Sequence, residues 1–145
     1  MPTNSDSTGL AGRELTLFRV FFVIAALWNF AGSLPGTIDS AGMFEREFGR
    51  ALTDPVMVAV YRGAWVTSLL YAFGFLIVAA NPQRHTGIVA MGGLGKALFA
   101  LNLTRMYLNG WTSDFALVVI AGDAVFVAIF LLYFFRLKRL GVSIL

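Results

Sequence analysis

Four apolar stretches, each about as long as a bilayer is thick, constrain this chain more than any other feature. A helix needs about 20 mostly apolar residues to cross the hydrocarbon core, and runs at about 15–34, 55–80, 86–108 and 113–137 all meet that length. Together they take up most of the 145 residues. Only 13% of residues are charged, against about 25% in an ordinary soluble domain. In hydrocarbon every backbone polar group must be satisfied internally, and continuous apolar runs of this length do so as helices. The fold class expected is an all-α integral membrane protein, a four-helix up-down bundle. A polar tail (1–14) precedes the transmembrane domain (15–137), and a short basic tail (138–145) follows it.

Turn and capping residues set the ends of the spans. The first run stops at Pro35-Gly36, a pair that does not continue a helix. The second opens at Thr53-Asp54-Pro55, where Asp54 caps and Pro55 suits the first helical position. Asn109-Gly110 closes the third, and Thr112-Ser113-Asp114 opens the fourth. Ala31-Gly32-Ser33 offers a signal-peptidase-like small-x-small site, but the apolar run before it is long and its flank is not strongly basic, which favours a retained helix. In the first loop Phe44, Phe48 and Leu52 recur every four residues among Glu45, Arg46, Glu47 and Arg50. That spacing predicts a short helix, either lying in the membrane interface with its apolar face down or folded over the bundle end as a lid.

Basic residues near the span ends give the direction. Arg13, Arg19, Arg84, Arg136, Lys138 and Arg139 fall on one side, with Arg46, Arg50 and Arg105 on the other. Positive charge collects on the cytoplasmic side, so the chain is expected to be multi-pass in the cell membrane with both termini cytoplasmic. The eleven Lys and Arg residues form no continuous patch, and no nucleic-acid partner is expected.

Ionisable groups inside a span are costly and turn towards partners. Lys96 and Asp123 lie equidistant from the turn at Asn109-Gly110, and so do Arg105 and Asp114. Positions nine residues apart on one helix are two and a half turns apart and face opposite ways. One pair therefore meets squarely, and the deeper pair, Lys96–Asp123, has the greater need. It acts either as a clamp aided by the small residues Gly92, Gly93, Gly95 and Gly122, or as a polar floor to a pocket or a proton-handling site. Arg62 lies roughly 12 Å inside the second helix, at about 1.5 Å per residue from Asp54. It either snorkels to phosphate or points inward beside Trp28 and Asn29, with Trp65 on its own face and Asn102 from the third helix. The candidate ligand-binding set is thus Trp28, Asn29, Arg62, Trp65, Lys96, Asn102 and Asp123.

Cysteine is absent and His85 is the single histidine, so thiol catalysis, cysteine-based metal sites and bis-histidine haem fall away. No metal or other cofactor is expected. Phe21, Phe22, Phe126, Phe130, Phe134 and Phe135 read as lipid-facing or packing residues, and Tyr107, Trp111 and Tyr133 as interfacial anchors. The run Gly92-Gly93-Leu94-Gly95-Lys96 lacks the spacing and the following Ser or Thr of a phosphate loop.

Gly95-Lys96 in the third span, and Gly122-Asp123 followed by Phe126, Phe130 and Leu131-Leu132-Tyr133-Phe134 in the fourth, resemble the DoxX-like group of small bacterial membrane proteins. The likeness lies chiefly in residues 87–137. It implies a four-helix membrane scaffold, sometimes an accessory partner in redox or stress systems or a subunit of quinone-linked oxidoreductases, and it carries no catalytic residue onto this chain. Short loops and an apolar exterior point the same way, to an accessory subunit packing against a larger membrane complex or a homo-oligomer. The alternative is a binder or converter of a lipophilic molecule (a quinone, isoprenoid or lipid) in an intramembrane pocket. Nothing in the residues decides whether the chain is an enzyme.

Overall fold

The structure, a computed structural model, describes residues 9–143; the outermost parts of both expected tails lie outside them. It is all-helical: α1 (Gly12–Ile38), α2 (Ser40–Phe48), α3 (Pro55–Ala80), α4 (Thr86–Leu108) and α5 (Phe115–Arg139). All but α2 are long and apolar enough to cross a membrane. They run up-down-up-down, with α2 between the first two spans.

N-cap side chains mark the starts of α2, at Asp39, and of α3, at Asp54. Asp54 Oδ1 accepts from the amides of Val56 (2.8 Å) and Met57 (3.0 Å), with Pro55 opening α3 as expected. At α5, which opens after Thr112-Ser113-Asp114 as expected, Ser113 Oγ accepts from Phe115 N at 3.3 Å and the Asp114 side chain makes no cap bond. The expected stop of the first span at Pro35-Gly36 is corrected, because α1 continues through Pro35 to Ile38. Proline removes one backbone donor, and hydroxyl groups around it add side-chain bonds to the chain's own carbonyls. Ser33 donates to Asn29 O, Thr37 to Ser33 O (2.8 Å) and Ser40 to Gly36 O (2.7 Å).

Two antiparallel pairs make up the bundle. α1 packs most closely on α3, and α4 on α5, while α3 and α4 touch far less. Near the chain termini the space between the pairs is filled by rings. Phe22, Phe75, Phe130 and Tyr133 are fully or almost fully buried, with ring centroids 5.2–5.9 Å apart for Phe22–Tyr133, Phe75–Phe130 and Phe22–Phe130. Tyr133 is therefore a core residue and not an interfacial anchor; its hydroxyl donates to Pro82 O.

Glycines admit these rings. A Cβ on Gly92 would stand 2.7 Å from Phe75 Cζ, and one on Gly122 would stand 2.1 Å from Trp28 Cζ2. The glycines expected to bring backbones together thus make room for aromatic side chains, except Gly95, where a Cβ would meet nothing within 4 Å.

α2 closes the opposite end. It stops at Phe48, with Gly49 in the left-handed conformation (φ 67°), so Leu52 lies beyond it. Phe44 and Phe48 pack on Tyr61 of α3, at 5.2 and 6.2 Å between centroids. Met43 and Glu47 turn inward and are buried. Ser113 ties the helix to the α4–α5 connection: its amide donates to Glu47 O (2.8 Å) and its hydroxyl to Arg46 O (2.6 Å). Of the two placements open from sequence, the lid describes these contacts.

Candidate functional site

Helical spacing turns a set of mixed residues towards the gap between the two pairs. Tyr61, Trp65, Ser68 and Tyr71 recur every three or four residues on α3, as do Gly95, Phe99, Asn102 and Met106 on α4. With Trp28 and Asn29 from α1 and Val119 and Asp123 from α5, they line a cavity of about 570 Å³ in the half of the bundle beneath α2. Its walls are mainly apolar.

The deep end is the expected ion pair. Lys96 Nζ donates to Asp123 Oδ1 at 2.6 Å, and both side chains are buried. Trp28 Nε1 donates to the same oxygen at 3.0 Å. The Lys96 ammonium also lies 5.2 Å from the centre of the Phe126 ring, within cation–π range. Three helices are thus fastened at one carboxylate. The competing pair does not form: Asp114 instead accepts from the Tyr107 hydroxyl at 3.2 Å.

Asn29 is buried and its Nδ2 donates to Ser68 O at 3.3 Å, joining α1 to α3. Asn102 also lines the cavity but is exposed, at its mouth, with a long contact (3.7 Å) to Met106 Sδ. Trp65 stacks edge-on to Tyr61 (5.9 Å) over the bare backbone of Gly36, where any Cβ would collide with the indole. Its Nε1 is buried and near the Tyr61 hydroxyl, without a hydrogen bond of normal geometry.

Arg62 stands apart from the other six candidates. It is exposed and outside the lining, with Nε donating to Ser40 Oγ at 3.2 Å. This is the outward of its two sequence readings; the helix turns Trp65, three residues on, into the cavity and leaves Arg62 on the outer face.

The second polar pole was not singled out from sequence. Glu47 of α2 is 3% exposed and accepts from the Tyr61 hydroxyl at 2.5 Å. Burial raises its carboxyl above the ordinary value, and the Tyr61 bond offsets this in part. Glu47 sits one turn after Met43, and that inward pair was the available signal. It was masked by the more regular Phe44, Phe48 and Leu52. The cavity thus runs from a Glu47–Tyr61 roof to a Lys96–Asp123–Trp28 floor, with Asn29 and Ser68 on its side.

α3 and α4 meet near their short connection, where Gly74 faces Ile88 and Gly92 faces Phe75. Farther along, Ala64 and Thr67 of α3 and Phe99 and Asn102 of α4 are exposed while lining the cavity. The opening is lateral, towards the bilayer.

Compared with family models, with curated proteins and with solved structures, the chain matches none.

Proposed function

We propose that this protein binds a lipophilic small molecule within the bilayer, as a multi-pass protein of the cell membrane with both termini cytoplasmic. The observation that carries the reading is the cavity, with apolar walls and a floor made by a buried ion pair. At about 570 Å³ it falls within the range of about 300–1,000 Å³ typical of ligand sites, which combine apolar linings with a few placed polar groups. Quinones, isoprenoids and simple lipids suit such walls, and a lateral opening suits a ligand already dissolved in the membrane. Of these, quinones accord with the quinone-linked members of the DoxX-like group that the chain resembles. An accessory subunit on a larger complex is the second reading. It rests on the short loops, on the resemblance to a group with accessory members, and on an apolar exterior that every bundle of spanning helices shares.

Two glycines make a matched test. A side chain grown at Gly95 enters the cavity, and one grown at Gly63 leaves the bundle; at neither does a Cβ meet any atom within 4 Å. Native mass spectrometry of the full chain released from its membrane into mild detergent should show a small-molecule adduct on the parent protein. Gly63→Phe should retain it and Gly95→Phe should lose it. A parent chain without adduct, or equal retention by both variants, contradicts the proposal.

A further inference from the structure

The charges around the cavity narrow the class of ligand, given the binding reading above. Glu47 and Asp123 are the carboxyl groups in its lining and Lys96 is its cation. The single cation is already engaged with Asp123 and the roof carboxyl with Tyr61. The arginines of this end face elsewhere. Arg46 lies 6.0 Å from the Phe115 ring centre, Arg50 5.8 Å from that of Phe44, and Arg62 bonds Ser40; with Arg105, all are exposed. A phosphate head drawn into this space would meet two carboxyl groups and no free cation, after losing its water.

An uncharged oxygen fares better. An ammonium group has three donors, and Lys96 uses one of them on Asp123. The Ser68 and Tyr71 hydroxyls belong to the same lining. They supply donors and acceptors without requiring a counter-charge.

We infer that the cavity selects an uncharged lipid, a hydrocarbon tail bearing a hydroxyl or carbonyl oxygen seated at the level of Lys96 and Ser68, and rejects the phosphate-headed lipids of the surrounding bilayer. This selection keeps the site free of the bulk lipid that passes its lateral opening. The tail extends along the aromatic wall of Phe99 and Trp65 towards the α3–α4 cleft.

The test uses the full chain in phosphatidylcholine nanodiscs, with ¹⁵N-labelled tryptophan. Four probes share one tail length: dodecanol, dodecane, dodecyl phosphate and dodecyltrimethylammonium, compared at equal mole fraction in the bilayer. Dodecanol should shift the Trp28 indole N–H resonance and bind about tenfold or more tighter than dodecyl phosphate, since tenfold corresponds to about 1.4 kcal/mol. Tighter or equal binding by either charged probe overturns the inference, as does dodecane binding as well as dodecanol. In those cases the binding reading itself stands. If no probe moves any cavity tryptophan resonance, the binding reading falls and takes this inference with it.

Discussion

The two ends of this bundle use similar residues to opposite effect. Towards the chain termini, Phe22, Phe75, Phe130 and Tyr133 lock together between the helix pairs, and Gly92 gives up its side chain so that Phe75 fits. Beneath α2 the same helices carry Trp28, Tyr61, Trp65 and Phe99, yet the rings stand around a space instead of filling it. The difference lies in what occupies the centre. At one end it is rings in mutual contact; at the other it is the cavity, floored by an ion pair, with Trp28 and Asn29 held at its edge by hydrogen bonds. Apolar outer surfaces gain little by burial when lipid is the solvent, so packing and polar contacts hold such bundles together. The solid end supplies the packing, and this leaves the other end able to remain open.

Truncating rings at the two ends should break the symmetry most clearly. Phe130→Ala removes a ring that touches Phe21, Phe22, Phe75 and Phe126 and should cost about 3–5 kcal/mol. Phe99→Ala, on the half-open wall, should cost far less. Thermal unfolding in detergent reads both, and equal losses would mean that the two ends are packed alike.

Asp123→Asn tests the floor. The amide can still accept from Trp28, but Lys96 loses its counter-charge, and the expected loss lies near the lower end of the roughly 3–5 kcal/mol for a broken buried pair. An unchanged unfolding temperature would show that Lys96 does not depend on this partner.

Smaller effects come from adding one carbon to glycines three residues apart. Gly92→Ala drives a methyl against Phe75 at 2.7 Å and should destabilise by about 1–3 kcal/mol. Gly95→Ala meets nothing and should stabilise by up to about 1 kcal/mol through helix propensity. Chemical denaturation of the pair would sharpen the boundary between the filled and open regions.

The smallest effect concerns the roof. Glu47 holds its proton to higher pH in the folded chain than in the unfolded one, because burial raises it above 4.5. Its contribution is therefore fully present below that value and is lost as pH rises through the folded-state value. Unfolding temperature should decline over this window in the parent chain and stay flatter in Glu47→Gln, which keeps an acceptor for Tyr61. Parallel profiles would show that Glu47 titrates as an ordinary carboxyl.

The spans and the deep ion pair were legible because each follows from one strong constraint. Length and hydropathy mark the helices, and equal distance from the Asn109-Gly110 turn marks Lys96 and Asp123. Less legible were features set by competition between neighbours. Pro35 looks like a terminator until the hydroxyls of Ser33, Thr37 and Ser40 are seen to bond back to the helix. Tyr133 looks like an anchor by position, but the carbonyl of Pro82 gives its hydroxyl a buried partner. Arg62 and Trp65 share a helix, and only the packing of α2 shows that Ser40 holds the arginine outside while the indole goes in. Glu47 was hidden because the regular Phe44, Phe48 and Leu52 spacing outweighed the Met43–Glu47 pair, and its partner Tyr61 lies fourteen residues away on another helix.

A crystal structure of the full chain grown in a lipidic mesophase would show whether the cavity is a ligand site. Elongated density is expected between the Lys96–Asp123 floor and the α3–α4 cleft, with the rings of Trp65 and Phe99 still on the walls. Closed helices, with those rings filling the space and no density between them, would contradict the binding reading.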